Sequence, residues 1–264
     1  MKLSLNNEFV FQLVALLISF IVVHAIYIGI VRPNAQIMID AREASIAAGN
    51  FMEAERSLWV VLKDFEQEAC FVLAFWAIAI MGLKAKRVSA EKQLINEPLI
   101  QVPTGTKILP EDARSLSRTL ESLPTEKINY LLPRALQVAL QRLEANSGVQ
   151  EVSAAVRDTC ESESQRLDTE LAMVRYIAWA IPSIGFIGTV RGIGSALANA
   201  HEAVEGNIAA VTSSLGVAFN STFIALLISI LIMFLSHQLT LHQERLVLDA
   251  NKYCDNNLVK HIQV

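Results

Sequence analysis

The chain has 264 residues, of which 53% are hydrophobic, and its mean hydropathy is +0.39. These values are high for a soluble protein and predict several membrane spans. The net charge of −4 gives no electrostatic support for nucleic-acid binding. The three cysteines, Cys70, Cys160 and Cys254, have neither metal nor redox spacing, so no metal or other cofactor is expected.

The first apolar segment lies in residues 1–31, where Phe9–Val31 is long enough to cross a bilayer as a helix. It is too long for the apolar core of a signal peptide, so it is predicted to be retained as the first span. Arg32 and Pro33 are expected to close it. Its one titratable group, His24, is expected to be an interfacial or helix-packed histidine rather than part of a proton relay.

Residues 32–68 are polar and are predicted to form an external helical loop, with a helix stop at Gly49 and Asn50. Residues 69–83 form the second predicted span. This span is short, so its helix is expected to begin earlier, with Glu66 and Glu68 near one membrane face. Both acids are expected to be solvated interfacial groups rather than a buried proton site.

Basic residues directly after the second span predict the orientation of the chain. They are Lys84, Lys86, Arg87 and Lys92. By the positive-inside rule, residues 84–172 are cytoplasmic, and so are both termini. Residues 199–207 contain neither Lys nor Arg, which is typical of an external turn.

Residues 84–172 are predicted to be helical, and an apolar stripe runs along their last part. It consists of Val152, Val156, Cys160, Leu167, Leu171 and Val174, at three-, four- and seven-residue steps. No helix breaker separates this stripe from the next apolar run, so one long helix is expected to continue from the cytoplasm into the membrane. Its charged residues are expected to form a solvated face, with docking of a cytoplasmic partner as the alternative: Glu151, Arg157, Asp158, Glu161, Glu163 and Arg166.

Two further spans, residues 173–198 and 208–236, form an antiparallel hairpin, and residues 237–264 form an amphipathic tail. The fold class is therefore an all-α membrane protein with four transmembrane helices, a helical cytoplasmic segment and a long third helix. The hairpin is rich in small residues, which allow membrane helices to approach closely. Those expected to serve packing and bending of the third span are Pro182, Gly185, Gly188 and Gly192.

Counting outward from the turn places Thr189 opposite Thr222 and Arg191 opposite Asn220. At 1.5 Å per residue, Thr189 lies roughly 15 Å below the outer surface. Each threonine either bonds a carbonyl of its own helix or lines a polar path, and these two interpretations are about equally supported. Arg191 either extends toward the interface or lies at the outer mouth of that path.

Neither span of the hairpin contains Asp or Glu. Because proton movement through a membrane usually needs a titratable group there, a conducting hairpin would take its carboxylate from another chain. The sequence contains no nucleophile elbow, no H-E-x-x-H and no Walker loop, so an enzyme is not expected. A secondary transporter is not favoured either, since no inverted repeat is visible.

The runs WAIPSIGFIGTVRGI (Trp179–Ile193) and SLGVAFNSTFIALL (Ser214–Leu227) resemble the MotA/TolQ/ExbB proton channel family. The family pattern of a proline followed by a G-x-x-G-T-V-x-G run matches Pro182 to Gly192, and Thr222 matches the family's pore threonine. The resemblance covers roughly the last third of the chain. Four spans around a large cytoplasmic segment resemble the flagellar-stator branch.

The resemblance implies a pentameric homo-oligomer in the bacterial inner membrane, surrounded by lipid, around a dimer of single-span partners of the MotB/ExbD/TolR type. Each partner would carry a membrane aspartate, and ion flow would drive rotation and move a client, in the cytoplasm or elsewhere. Whether protons or sodium ions flow stays open, and a structural scaffold without conduction is the alternative. The residues implied to line the path are Thr189, Thr222, Ser221, Asn220 and Arg191.

Overall fold

The computed structural model describes residues 2–47, 57–100, 107–204, 206 and 208–262. These residues are helical almost throughout, and the extended backbone among them makes only an isolated parallel bridge between Ile108 and Ile262. The predicted all-α fold is confirmed. The expected helix stop at Gly49 and Asn50 lies outside the described residues.

The described residues form eleven α-helices. In chain order they are α1 (Lys2–Ile26), α2 (Arg32–Ala47), α3 (Leu58–Leu62), α4 (Phe65–Ile95), α5 (Ala113–Glu121), α6 (Thr125–Ile128), α7 (Leu131–Glu144), α8 (Val149–Glu170), α9 (Ala172–Ala198), α10 (Ala200–Val204) and α11 (Ala209–Asn257). Within the described ranges, four helical stretches are long and apolar enough to cross a membrane, which agrees with the predicted number of spans.

The first span does not end its helix at Arg32 and Pro33. A π-helical segment, Tyr27–Val31, joins α1 to α2, and the Arg32 N–H bonds the Tyr27 carbonyl oxygen five residues back. Pro33 lacks an N–H and normally interrupts a helix. It is tolerated here because it stands in the first turn after a segment that has already left the α-helical hydrogen-bond pattern.

The other long helices have limits that hydropathy alone does not predict. The second span begins at Phe65, ahead of the apolar run, as expected. The expected continuous third helix is interrupted at Leu171, where α8 ends in a turn before α9 begins. α11 has no break at residue 236, because the amphipathic tail continues the same helix to Asn257.

The chain divides into two compact units. Unit 1 comprises Met1–Met81 and Met173–Ser236, and unit 2 comprises Gly82–Ala172 and His237–Val264. The apolar runs predicted as spans fall within unit 1, except for the last two residues of the second. Which ends of these helices face the cytoplasm stays a prediction.

Unit 2 has a core of aliphatic side chains from α5, α7, α8 and the end of α11. Leu136, Leu140 and Val156 are buried in it together with Cys254, and the Tyr253 hydroxyl accepts the Leu99 N–H. The charged face of α8 is not solvated throughout. Glu163 is only 2% exposed and pairs with Arg134 and Arg166, because the neighbouring α7 covers this side of the helix.

Unit 1 carries large apolar side chains on its surface as well as in its interior. α1 is tied to α4 by the Trp76 indole N–H, which donates to the Gln12 carbonyl oxygen at 2.8 Å. The outward faces of three helices nevertheless leave aromatic residues exposed, among them Phe9, Trp179, Phe186, Phe219 and Phe223. Such a surface fits contact with lipid or with another apolar surface.

Candidate functional site

The site lies where α9 crosses α11 in unit 1, at three buried glycines. A Cβ atom at Gly185 would lie 2.5 Å from the Ala225 Cβ, and one at Gly192 would lie 2.6 Å from the Ala218 backbone nitrogen. A Cβ at Gly188 would lie 2.6 Å from the Ser221 hydroxyl. The two helices therefore approach too closely for any larger residue at these positions.

Thr189 and Thr222 meet across this close contact. Their hydroxyl groups are hydrogen-bonded to each other. The Thr189 hydroxyl oxygen also lies 3.1 Å from the Ala218 carbonyl oxygen, which is within hydrogen-bond distance. The Thr222 hydroxyl lies 3.1 Å from the Gly185 carbonyl oxygen, across the helix interface. The predicted opposition of the two threonines is confirmed. Their role in an ion path stays a prediction.

Ser221 and Asn220 precede Thr222 on α11 but have different surroundings. Ser221 is 1% exposed, and its hydroxyl finds no hydrogen-bond partner within the part of the chain that the structure describes. Asn220 is half-buried. The two polar residues therefore do not form a single group with the threonine pair.

Arg191 pairs with an acid that the sequence analysis assigned to solvent. Its Nε and Nη2 atoms donate to the two carboxylate oxygens of Glu66 at 2.7 and 2.8 Å. Glu66, at the start of α4, is almost completely buried. The expectation that Glu66 is a solvated interfacial acid is wrong, because α4 lies against the hairpin and removes its first turn from solvent.

The same pairing bears on the expectation that a carboxylate beside the hairpin comes from another chain. The hairpin itself contains none, but α4 contributes Glu66 beside Gly188. A sequence signal for the pair existed, since an arginine in an apolar span needs a counter-charge. Glu66 stands at the end of another span, but its distance of 125 positions from Arg191 hides the contact.

Glu68 is buried and forms a second cluster with partly exposed side chains of α1 and α2. One carboxylate oxygen lies 2.5 Å from His24 Nδ1, and the other accepts from Arg32 at 2.5 Å. The expectation of a solvated Glu68 is therefore also wrong. Phe20 stacks on the His24 ring, and the Arg32 guanidinium lies 4.5 Å from the centre of the Phe65 ring.

Asp64, in the connection before α4, adds a third buried carboxyl group. Burial raises its pKa, and the nearby cations Lys63, Arg191 and Arg32 oppose that rise. The start of α4 thus concentrates three acids, Asp64, Glu66 and Glu68. The counter-charges of Glu66 and Glu68 lie on other helices, whereas Lys63 is next to Asp64 in the chain. Nothing in the apolar content of the spans indicates this polar end of unit 1.

Pro182 lies inside α9 without ending it. Proline has no N–H to give to the carbonyl oxygen four residues back, which is that of Ala178. The Ser229 hydroxyl of α11 donates to this carbonyl at 3.0 Å. Ser229 therefore supports α9 at Pro182, and the sequence analysis did not single out this serine.

The described residues hold no group of three or more His, Cys, Asp or Glu side chains that could bind a metal ion. The site is instead a set of hydroxyl groups and one ion pair at a close crossing of apolar helices. Such an arrangement suits the passage of a small cation along polar groups better than bond-making chemistry.

Part of this chain matches a known protein family. The family model described as the MotA/TolQ/ExbB proton channel family matches residues 127–252, which confirms the resemblance found in the sequence. No curated protein and no solved structure gives a significant match. The matched residues include α9 and most of α11. Together with the four apolar helices of the described residues, this match indicates a multi-pass membrane protein that is similar to a family of proton channels.

Proposed function

We propose, on the premise that residues 127–252 form a MotA/TolQ/ExbB proton channel family domain, that this chain is a ring-forming subunit of an ion-driven motor or stator. The ring couples the flow of protons to mechanical work on a client. The chain lies in the bacterial inner membrane with both termini in the cytoplasm, and lipid covers its outer faces.

The observation that carries this proposal is the bonded pair of Thr189 and Thr222 in the middle of two apolar helices. Hydroxyl groups can receive and pass on a cation that has left water, which aliphatic side chains cannot do. Gly185 brings the two helices close enough for the hydroxyls to meet. The pair therefore supplies polar atoms at a depth where the bilayer supplies none.

The exposed apolar residues of α9 and α11 support assembly into a ring. Trp179, Phe186, Phe219 and Phe223 are exposed in the single chain. Aromatic residues at this density are typical of subunit interfaces. The family suggests five copies around the single-span helices of two partner chains, each with a membrane carboxylate.

A structural scaffold without conduction is the second candidate. It is favoured by the observation that each threonine hydroxyl also lies within bonding distance of a backbone carbonyl, including the Thr222–Gly185 contact between helices. In a scaffold these bonds hold the hairpin together. Substitutions that remove only the hydroxyl, or only the methyl group, separate the two functions.

The test uses the full chain, tagged and extracted from its native membrane, with its copies counted by native mass spectrometry. Vesicles that contain the purified complex then report proton and sodium flux under an imposed gradient. We expect Thr189→Val and Thr222→Val to assemble normally and to lose flux, because valine keeps the shape and removes the hydroxyl. Thr189→Ser and Thr222→Ser should retain it.

Thr212→Val is the matched control. Thr212 lies on the same helix, is exposed, and bonds the Ile208 carbonyl of its own turn. Its substitution should leave flux unchanged. A complex that contains one copy of the chain, lacks a single-span partner and conducts neither ion would establish the scaffold instead. Valine variants with full flux would show that the threonine pair does not carry the ions.

A further inference from the structure

Ser221 is a buried serine whose environment differs from that of other serines in these helices. Ser183 of α9 donates to the carbonyl four residues back, as serines in membrane helices often do. The Ser221 hydroxyl makes no such bond to any described residue, although the side chain is only 1% exposed. An unpaired buried hydroxyl costs stability, so its presence calls for a function.

The space in front of this hydroxyl is shared with Glu66. A Cβ atom at Gly188 would lie 2.6 Å from the Ser221 hydroxyl and 3.1 Å from the Glu66 Cγ. The missing side chain of Gly188 thus lets a hydroxyl from α11 and an acid from α4 converge. An unpaired hydroxyl and the Cγ methylene of an acidic side chain therefore both lie beside Gly188 in the interior of unit 1.

The ion pair beside this position is asymmetric in its exposure. The Glu66 side chain is 9% exposed, whereas the Arg191 side chain is 48% exposed. A buried carboxylate needs a counter-charge and cannot reach water itself. Arg191 can turn toward its open side, so the acid keeps its place and its counter-charge is the part that can be exchanged.

Ser221 also lies next to Thr222, one member of the threonine pair, along α11. Ser221 and Thr222 are successive residues on α11. The Ser221 side chain lies against Gly188 of α9, and Thr222 lies against Gly185. Ser221 faces Glu66, and Thr222 faces Thr189. The threonine pair and Glu66 therefore lie beside successive residues of α11. Asp64 is a further acid close enough for its charge to interact with that of Glu66.

We infer that Glu66 and Ser221 form a cation-accepting site within this chain, where the transported monovalent cation replaces Arg191 as the partner of Glu66. For a proton, one carboxylate oxygen gains the proton from the path, and the Arg191 guanidinium stays protonated as it turns outward. Release of the proton restores the Arg191–Glu66 pair. For a sodium ion, the carboxylate and the Ser221 oxygen act as ligands.

This inference rests on the proposed function and names an acid that the chain supplies in addition to the partner's carboxylate. It is tested in vesicles that contain the complex purified with the full chain. One set measures proton flux with a pH-sensitive dye, and a parallel set measures sodium flux with a sodium-sensitive dye. The ion that the wild type conducts is the one followed in the variants.

Ser221→Ala is the decisive variant because it removes a hydroxyl that holds nothing in place. We expect an assembled complex whose Tm is equal to or above that of the wild type. Its flux should fall about tenfold, the factor that corresponds to one lost hydrogen bond to the ion. Glu66→Gln keeps an acceptor for Arg191 but not the negative charge, and it should lose flux as well.

Ser229→Ala is the matched control, since Ser229 lies two turns further along α11 and is equally buried but donates to Ala178. It should lower the Tm and retain the flux. Wild-type flux in Ser221→Ala would overturn the inference and leave the proposed function standing. If Glu66→Gln does not assemble, Ser221→Ala decides alone. A wild-type complex that conducts neither ion would overturn both.

Discussion

The contact between α9 and α11 differs between its two halves. From Gly185 to Gly192 the helices meet through glycine, alanine and hydroxyl groups, with the Arg191–Glu66 pair at the flank. From Val174 to Ile181 the buried face of α9 is aliphatic. One half brings polar atoms into the membrane interior, and the other is an ordinary apolar core.

This difference shows how one pair of helices can combine stability with a polar interior. The aliphatic half holds the helices together by side-chain packing, because lipid provides no hydrophobic driving force between membrane helices. The glycine half has little side-chain surface to bury, and its close approach places hydroxyls and carbonyls within bonding distance. Pro182 stands at the boundary, where the Ser229 hydroxyl bonds the carbonyl that the proline leaves free.

The largest effect is expected from closing the space in the glycine half. Gly192→Ala would place a Cβ 2.6 Å from the Ala218 backbone nitrogen and 2.8 Å from the Ser214 carbonyl oxygen. Backbone atoms cannot move aside without separating the helices, so a loss of about 3 kcal/mol is expected. Thermal unfolding of the detergent-solubilised chain measures it.

Gly194→Ala is the control for that substitution, because Gly194 is exposed and a Cβ there meets nothing within 4 Å. It should leave stability unchanged or raise it by up to about 1 kcal/mol through better helix propensity. Equal losses for the two alanine variants would show that the close approach at Gly192 does not hold the helices together.

An intermediate effect is expected at the second acid cluster, which contrasts with Glu66. Glu68→Gln removes the charge that faces Arg32 and His24, and it should cost about 2 kcal/mol because the partners are partly solvated. Unlike Glu66→Gln, it should leave ion flux intact, since Glu68 contacts neither α9 nor α11 through the bonds described. Loss of flux in Glu68→Gln would extend the polar path to α1.

The smallest effect is a coupling between Pro182 and Ser229. Ser229→Ala alone leaves the Ala178 carbonyl unpaired and should cost about 1 kcal/mol. In a Pro182→Ala background the residue 182 N–H can bond this carbonyl, so the same serine substitution should cost less. A double-mutant cycle on Tm measures the difference. Additive losses would show that the Ser229 hydroxyl does not replace the N–H that Pro182 lacks.

Several features of the fold and site could be predicted because they depend on local sequence. Hydropathy and length predict the four spans, and the antiparallel connection places Thr189 at the depth of Thr222. The glycines at three- and four-residue steps indicate a close contact on one side of α9. The prediction failed at Pro33, where a π-helical turn carries the helix past a proline.

The amino-acid sequence by itself therefore determined which segments are apolar helices, which of them pair in the hairpin, and where their small residues lie. Only the tertiary structure decided that α4 places Glu66 against Arg191 and that Ser229 serves Pro182. The reason is physical, since hydropathy is averaged along a helix and carries no information about its rotation or its neighbours. The rotation of each helix and its neighbours determine which polar side chains meet. They also determine whether an acid near the spans is solvated or buried beside the hairpin.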